Sequence, residues 1–266
     1  MIRIMVCVVY SNSVLIHLSH SSTKTNTKVS VVMPVFNADQ HLDRAIESVL
    51  KQTFTEFEVI AIDDGSTDES LAQLRTWAVQ DARIRIISHS SNSGIAASRN
   101  TGINAANTDY VAFLDADDTW HNDKLTIQYQ HHQANRCGFS CTAFWFGRKL
   151  INAKKLITYY DLLANNVVNT SSVMVDTRMI DLQFAITNPS EDYQHWLQVA
   201  HNHTIHFIKT PLVTRTVFDG VSKNKITMAK RRWRIYRHIE QLPFFTSLKF
   251  FTVYAVTGIT KYWRAQ

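Results

Sequence analysis

Short apolar runs alternate with amphipathic stretches between residues 29 and 114. The first kind, rich in β-branched and aliphatic residues, has the length and composition of buried strands, at 29–33, 57–62, 84–88 and 110–114. The second kind has apolar or small side chains at helical spacing, at 42–50, 71–78 and 94–106. This alternation predicts an α/β fold: a mostly parallel sheet with helices on both faces. Asp39 and the segment Ser66 to Asp68 are placed to cap the first two helices.

Polar clusters follow three of these strands at the point where each strand ends. They read PVFNAD, DDGSTDES and DADD. Because ligands of parallel sheets bind at the carboxyl ends of the strands, the clusters are expected on one rim. Crowded carboxylates raise one another's pKa values unless a cation is present, and hard oxygen ligands favour Mg²⁺ or Mn²⁺ bound together with substrate phosphates. Arg99 could add positive charge toward those phosphates or brace the carboxylates.

Five segments stand in the order found in one enzyme family. They are VSVVMPVFNADQHLDRAIESVLKQTF, FEVIAIDDGSTDES, NSGIAASRNTGI, YVAFLDADD and SEDYQHWL. Through them the chain, over roughly residues 28–215, resembles the family 2 glycosyltransferases, which have the Rossmann-like GT-A fold. The resemblance implies metal-dependent, inverting transfer of a sugar from a nucleotide-sugar, by preference a UDP-sugar. The acceptor would be a hydroxyl of a glycan or lipid-linked molecule in bacterial cell-surface polysaccharide or lipopolysaccharide synthesis.

The resemblance also implies roles for individual residues. Asp64 would reach the base of the donor, Asp115 the ribose or sugar, and Asp117 the metal ion, Mn²⁺ or Mg²⁺. Asp192, in the Glu-Asp pair, would be the general base. Further candidates flank the nucleotide (Pro34, Phe36, Asn37), bind the donor (Arg99) or support the site (Asp63, Asp118, Glu191). Relatives usually have a histidine within residues 215–225; this chain has none there, so Arg215 and Lys223 are the candidates for that contact to the diphosphate.

Structural roles are the alternative for several of these residues. Asp63 is expected to brace its loop, and a helix cap is the alternative role for Asp192. Arg99 could form a structural ion pair. The acidic cluster could belong to a capping loop, and the segment from Pro34 to Asn37 could form a turn only.

The expected domain organisation has three parts. Residues 1–27 are an N-terminal extension for which no regular element is predicted. Residues 28–225 form the transferase domain, with a donor half at 28–120 and an acceptor half at 121–225. Residues 226–266 are a helical tail that concentrates Lys and Arg with aromatic residues. Its apolar stretch is too short to span a bilayer but suits adsorption to anionic lipid; packing on the domain or on another subunit is the alternative.

The amino-acid composition limits the classes of binding partner and the cellular compartment that are expected for the protein. The net charge of +6 is compatible with nucleic acid, an anionic membrane or an anionic substrate, but it gathers in the tail, so nucleic acid is not expected. The three cysteines, Cys7, Cys137 and Cys141, form no C-x-x-C pair and suggest neither a disulfide framework nor a zinc site. A cytoplasmic protein is expected, with peripheral attachment to the cytoplasmic face of the inner membrane as the alternative. The oligomeric state is open.

Several histidines suggest a second metal site as a hypothesis, but their spacing disfavours it. His201 and His203 lie near His195 and His206 along the chain, but they lack the helical His-Glu-x-x-His pattern and companion cysteine ligands.

Three other functions compete with the transferase. FLDADDT fits the haloacid-dehalogenase-like phosphatases, with Asp115 as nucleophile, Asp117 as acid/base and Thr119 as a positioning group. That motif normally opens its domain, and no later Gly-Asp-x-x-x-Asp completes a metal site here. A degenerate transferase kept as a binding subunit is disfavoured by the intact carboxylates. A dinucleotide oxidoreductase lacks its G-x-G-x-x-G.

Overall fold

The structure is a computed structural model that describes residues 27–186, 191–216 and 226–256 with their side chains, and residues 6–10, 13–17, 225 and 257–263 by backbone alone. The strands are β1 (Val6–Tyr10), β2 (Ser13–His17), β3 (Val29–Val35), β4 (Phe57–Asp63), β5 (Ile84–His89), β6 (Tyr110–Phe113), β7 (Thr119–Trp120), β8 (Phe139–Phe146), β9 (Lys149–Ile151), β10 (Leu156–Ile157), β11 (Met174–Asp176) and β12 (Ile205–Arg215). The helices are α1 (Leu42–Leu50), α2 (Ser70–Gln80), α3 (Ile95–Ala105), α4 (Lys124–Asn135), α5 (Tyr159–Ala164), α6 (Glu191–Asn202), α7 (Lys225–Arg234) and α8 (Phe244–Trp263). A 3₁₀ turn covers Thr170–Ser172, and a π-helical turn covers Ile235–Ile239.

These strands join in one mixed sheet in the order β1-β2-β5-β4-β3-β6-β11-β8-β12-β10. Strands β5, β4, β3 and β6 are parallel, as the alternation of strands and helices predicts. Strand β11 then runs antiparallel between β6 and β8, and β12 runs parallel to β8. The carboxyl ends of β3, β4 and β6 therefore lie on one edge of the sheet.

Alternate side chains of the central strands enter two cores. In β3, Val31 and Met33 pack against α1 and α2 on one face, while Val32 packs with Ala96 of α3 on the other. This follows from the two-residue period of a strand, which sends neighbouring side chains to opposite faces. Helices α5 and α6 contribute to the same core as Val32. The prediction of helices on both faces is confirmed.

Individual elements agree with the sequence patterns except at the helix starts and the N-terminal segment. Helix α1 begins after His41 with no side-chain cap, so the expectation that Asp39 caps it is wrong. The Asp39 backbone N–H instead donates to Asp68, 3.1 Å away, which joins two loops on the rim. In the segment 1–27, strands β1 and β2 form an antiparallel pair that extends the sheet beside β5.

The C-terminal part of the chain is helical where the structure describes it. Helix α7 and the π-helical turn lead to α8, and Ile235 and Tyr236 are buried in the same core as α6. The Tyr236 hydroxyl donates to the backbone carbonyl of Leu163 in α5. Among the described helices, none is both long and apolar enough to cross a membrane.

Helix α3 lies unusually close to the sheet because it has a glycine at the contact. A Cβ placed on Gly102 would lie 2.5 Å from Val32 Cγ1 and 2.7 Å from Ile62 Cδ1. Both neighbours belong to the central parallel strands and are fully buried. Since the interior is close-packed, the extra methyl group could enter only if the helix or the strands moved. This glycine therefore sets the depth of α3, which also carries Arg99.

Gly102→Ala should lower the free energy of unfolding by about 1–3 kcal/mol, although alanine favours helices more than glycine does. Urea unfolding followed by circular dichroism measures the change. Asn104→Ala on the exposed side of α3 is the control and should alter stability by about 0.5 kcal/mol or less. An unchanged or raised stability for Gly102→Ala would contradict the close packing described above.

Candidate active site

A cleft of about 640 Å³ opens at the carboxyl ends of β3, β4 and β6. Its volume is in the range of small-molecule sites. Its walls bring together residues from all three polar clusters and the start of α3: Pro34, Phe36, Asn37, Asp64, Gly94, Asp115 and Asp117, among others. The expectation that these clusters meet on one rim is thus confirmed. Phe36 is half exposed and presents an aromatic face to the opening.

Asn37 connects the first two loops of the rim. Its backbone has a left-handed φ of 47°, a conformation that asparagine tolerates better than most residues. Its side-chain oxygen accepts the N–H of Thr67 at 2.8 Å, and its own N–H donates to Ser66 Oγ at 3.1 Å. Asn37 therefore shapes the cleft wall through backbone contacts, which matches the turn alternative, and its contact with the nucleotide stays a prediction.

Asp64 is buried and is fixed by three partners. Its carboxylate accepts the N–H groups of Ser93 and Gly94 at 2.9 and 2.8 Å, just before α3 begins. It also lies 2.7 Å from Nδ1 of His89, whose Nε2 lies 2.9 Å from the hydroxyl of Thr101. His89 lies outside the family segments and Thr101 lies inside one of them, but the sequence patterns assigned a role to neither residue. Asp64 thus holds the loop before α3 and lines the cleft; its contact with a base stays a prediction.

The neighbouring Gly65 lets this loop come close to β4. A Cβ there would lie 2.7 to 2.9 Å from backbone atoms of Ser91 and Asn92, and the residue has φ +70°. Only glycine satisfies both conditions without strain. Asp63, next to it, is buried and accepts the N–H of Ser66 at 3.3 Å, in agreement with its predicted role as a brace.

Three carboxylates lie together after β6. Oxygens of Asp115, Asp117 and Asp118 are within 4.8 Å of one another. Burial raises the pKa of Asp117, the charge of Asp115 raises it further, and Arg215 lowers it. Burial, then the charges of Asp115 and Asp117, raise the pKa of Asp118 to about 7. Mutual repulsion of this kind is what a hard divalent cation relieves, so the donor set fits Mg²⁺ or Mn²⁺.

Asp118 has the most structural role of the three. It is 2% exposed, and its carboxylate accepts the hydroxyl of Ser171 at 2.6 Å and the N–H of Thr216 at 3.1 Å. The Thr216 hydroxyl in turn donates to the Asp117 carbonyl. Asp118 therefore fastens the cluster to the 3₁₀ turn and to the end of β12. No spacing signal in the sequence pointed to Ser171 or Thr216.

Arg99 connects the two halves of the site. Its guanidinium is 3% exposed; Nη2 lies 2.9 Å from Asp115 and Nη1 lies 3.2 Å from Glu191 at the start of α6. Burial alone lowers the pKa of Arg99, but the charges of Asp115, Asp192 and Glu191 outweigh it and raise the pKa. These contacts support the bracing role, and a direct contact with the donor stays a prediction.

Glu191 and Asp192 begin helix α6, where their negative charges face the positive end of the helix dipole. Asp192 is in the first turn of the helix, and its Oδ1 accepts the N–H of Tyr193 at 2.6 Å. Burial raises the pKa of Glu191, and the charge of Asp192 raises it further. Since the guanidinium of Arg99 binds Glu191, Asp192 is the carboxylate of this pair with no ion pair within the described part of the chain.

Arg215 ends β12 beside the cleft. It is exposed, stacks over the ring of Phe146 at 5.3 Å and lowers the pKa of Asp117 by its charge. Its charge thus acts on Asp117, and its contact with a diphosphate stays a prediction. Lys223 and most of the segment 215–225 lie outside the described residues.

The histidine pattern near His201 is not assembled into a metal site in the described structure. His201 lies 2.9 Å from a carboxylate oxygen of Glu240. His195 is buried between Phe184 and Trp196, and burial lowers its pKa to about 4. The disfavoured reading of a zinc site at His201-x-His203 therefore finds no support within the described residues.

Sequence comparisons place this fold and cleft in a family. The sequence model of "Glycosyl transferase family 2" matches residues 30–180. TuaG of Bacillus subtilis, which its name assigns to glycosyltransfer in teichuronic acid biosynthesis, is 33% identical over 249 residues, covering 89% of this chain and 99% of TuaG. WfgD of Escherichia coli is 29% identical over 247 residues, covering 88% of this chain and 94% of WfgD. Its name describes a UDP-Glc:alpha-D-GlcNAc-diphosphoundecaprenol beta-1,3-glucosyltransferase.

Solved structures agree on the fold. The structure of S. aureus TarS 1–349 in complex with UDP-GlcNAc superposes with a TM-score of 0.67 at 18% identity, over 86% of this chain and 72% of that one. The family match spans more than half of the chain, and TuaG is similar over almost its whole length. The chain therefore belongs to glycosyl transferase family 2 and has the GT-A fold.

Proposed function

We propose that the chain transfers a sugar, with inversion, from a nucleotide-sugar to a hydroxyl group of a lipid-linked or free glycan in bacterial cell-surface polysaccharide synthesis. The observation that carries this proposal is the bridge formed by Arg99. The guanidinium joins Asp115, on the cleft wall, to the Glu191 and Asp192 end of α6. One buried cation thereby holds a donor-side carboxylate together with the helix end that carries the candidate base.

The cleft suits a nucleoside diphosphate linked to a sugar. Pro34, Phe36 and Asn37 line one wall and Asp64 lies on the second loop, so a base and ribose would be received there. The diphosphate would extend toward Asp117 and Arg215, and the positive charge of Arg215 would balance part of the charge of the phosphates. UDP is preferred because the name of WfgD includes UDP-Glc as donor.

A divalent cation fits the cluster at Asp115, Asp117 and Asp118. Asp117 would be its direct ligand, since the carboxylate of Asp118 is occupied by Ser171 and Thr216. When bound, Mn²⁺ or Mg²⁺ takes up the negative charge that develops on the departing diphosphate. The raised pKa values of Asp117 and Asp118 favour proton uptake without a cation, so binding should weaken as the pH falls below about 7.

Asp192 would act as general base. It takes the proton of the acceptor hydroxyl as that oxygen forms a bond to the anomeric carbon, while the bond from this carbon to the diphosphate oxygen breaks. One displacement from the opposite face inverts the anomeric carbon. Arg99 supports the step because it binds the neighbouring Glu191 and leaves the Asp192 carboxylate available.

The phosphatase alternative is weaker in this structure. A nucleophilic Asp115 would need a free carboxylate, whereas its Oδ1 is paired with Arg99 at 2.9 Å. Strand β6 also lies inside the sheet, after three earlier parallel strands, and does not open the domain. A degenerate transferase would retain the cleft yet show no transfer.

The C-terminal helices offer a surface for the membrane on which a lipid-linked acceptor would be held. We define this C-terminal surface by its exposed apolar side chains Phe244, Phe245, Leu248, Val253 and Val256. Phe245 is 81% exposed, and the basic residue Lys249 lies on the same helix, α8. Arg234 and Arg237 lie in the two helical segments that precede it. Exposed aromatic rings beside basic side chains suit adsorption to anionic lipid. The proposed location is the cytoplasmic face of the membrane, where nucleotide-sugars are supplied.

UDP together with Mn²⁺ should raise the melting temperature, because ligands that bind only the folded state stabilise it. A stabilisation of about 3 kcal/mol, reached at about 100 times Kd, corresponds to a rise of roughly 5–10 °C. Asp117→Asn should abolish the rise. Asp181→Asn, an exposed carboxylate away from the cleft, is the control and should retain it. Wild-type protein unshifted by any nucleoside diphosphate with metal would refute the donor proposal.

Asp192→Asn should retain binding of the donor but lose turnover by at least about 10²-fold, the scale of general-base removal. Binding is measured by the same thermal shift and turnover by release of the nucleoside diphosphate in the presence of acceptor. Asp181→Asn again serves as the control. Near-normal turnover of Asp192→Asn would remove this residue from the mechanism, and absence of any transfer by the wild type would favour the degenerate transferase.

The protein should sediment with vesicles that contain phosphatidylglycerol and much less with vesicles of phosphatidylcholine alone. Phe245→Ser should weaken this binding several-fold, whereas Val79→Ser, an exposed apolar residue on α2, should not. Size-exclusion chromatography of both variants accompanies the assay. If Phe245→Ser changes the oligomeric state and leaves vesicle binding unaltered, the C-terminal surface contacts another subunit and not lipid.

A further inference from the structure

A second group of ligand-type side chains lies outside the cleft. It comprises His131 near the end of α4, Cys137 shortly after that helix, and His206, the second residue of β12. We call it the His–His–Cys cluster. Two ring nitrogens and the sulfur are within 4.8 Å of one another. No residue of this cluster lines the cleft or belongs to a family motif quoted above.

The separation of the two histidine nitrogens is close to that found around a bound transition metal. Nε2 of His131 lies 3.1 Å from Nδ1 of His206, and the two rings are inclined by 70° with centroids 5.2 Å apart. Two imidazole nitrogens at about 2.0–2.1 Å from a tetrahedral zinc ion are separated by about 3.3 Å. The pair is therefore nearly at the spacing that a shared ion requires, and little movement is needed.

The backbone on both sides fixes this arrangement. Arg136 follows the last residue of α4 and has a left-handed φ of 47°. The chain therefore turns at the end of the helix, immediately before Cys137. On the other side, β12 pairs with β8 and β10, so that His206 lies opposite Ser140 and Leu156. Ligands on a helix end and on a strand with neighbours on both sides are preorganised, which lowers the entropic cost of binding an ion.

The chemistry of the three ligands selects the kind of ion. A thiolate with two imidazoles prefers a borderline-soft metal such as Zn²⁺, whereas Mg²⁺ and Mn²⁺ prefer oxygen. Burial lowers the pKa of His131 and His206, and it is the neutral imidazole that binds a metal ion. Cys137 is 5% exposed, and its thiol would lose a proton to the solvent as the sulfur–metal bond forms. Both histidines are partly exposed, which leaves a path for the ion and a fourth position for water.

We propose that the His–His–Cys cluster binds one Zn²⁺ ion, through His131 Nε2, His206 Nδ1 and Cys137 Sγ. The ion ties the end of α4 to the start of β12. The other end of this strand holds Arg215 at the cleft and leads to Thr216, which binds Asp117 and Asp118. The site is separate from the proposed site for Mn²⁺ or Mg²⁺ and does not depend on the proposed glycosyl transfer.

The proposal is tested with the full chain freed of any histidine tag and kept in excess Mg²⁺, which occupies oxygen ligands. Competition with a chromophoric zinc chelator should give one tightly bound Zn²⁺ per chain. Co²⁺ in place of Zn²⁺ should produce the near-ultraviolet charge-transfer band of a cobalt–thiolate bond and the intense visible bands of a tetrahedral ion. Wild-type protein without the thiolate band overturns the proposal, whatever the variants do.

Paired variants locate the ion. Cys137→Ala should lose the thiolate band, and His206→Gln should weaken zinc binding at least about 10-fold, in the range that loss of metal-site residues produces. Cys141→Ala and His203→Gln are the matched controls, since neither residue belongs to the cluster, and both should bind like the wild type. Near-ultraviolet circular dichroism confirms that each variant is folded. A folded Cys137→Ala variant that keeps the thiolate band would overturn the assignment.

Discussion

A buried guanidinium on α3 holds together carboxylates that come from distant parts of the chain. Arg99 is 3% exposed and is paired with Asp115, after β6, and with Glu191, at the start of α6. Buried charge is tolerated only when it is paired, so each partner keeps the others in place. The position of Arg99 depends in turn on Gly102, which allows α3 to approach β3 and β4. The geometry of the candidate site thus follows from one close helix–sheet contact.

Burial and charge also determine the roles of the three carboxylates in the acidic cluster. Asp118 is saturated by hydrogen bonds from Ser171 and Thr216, whereas Asp117 lines the cleft. Three carboxylates that occupy one small volume after a strand are costly on their own. The cost is offset partly by Arg99 and Arg215 and, in the proposed function, by a divalent cation. Structural and chemical roles are therefore divided among three neighbouring residues of the same type.

Two groups of side chains that could bind metal ions lie in different parts of this fold. The oxygen ligands gather at the carboxyl edge of the parallel strands, where a phosphate-bearing substrate would bind. The nitrogen and sulfur ligands gather where α4 ends and β12 begins. Strand β12 connects the two regions, because His206 is near its start and Arg215 is at its end. A structural ion at one end would stiffen the strand that positions the other.

The sequence by itself determined the parallel half of the sheet, the rim of the cleft and the family. Those features depend on local hydrophobic periodicity and on motifs a few residues long, and both can be recognised in the sequence alone. It offered a bracing role for Arg99 but did not identify Glu191 as one of its partners. It also did not indicate that His89 and Thr216 hold site residues, or that His131, Cys137 and His206 meet. These contacts join residues from 6 positions apart, as in His131 and Cys137, to 99 positions apart, as in Asp117 and Thr216, and they have no fixed spacing in the sequence. Only the packing of helices on the two faces of the sheet brings such residues within bonding distance.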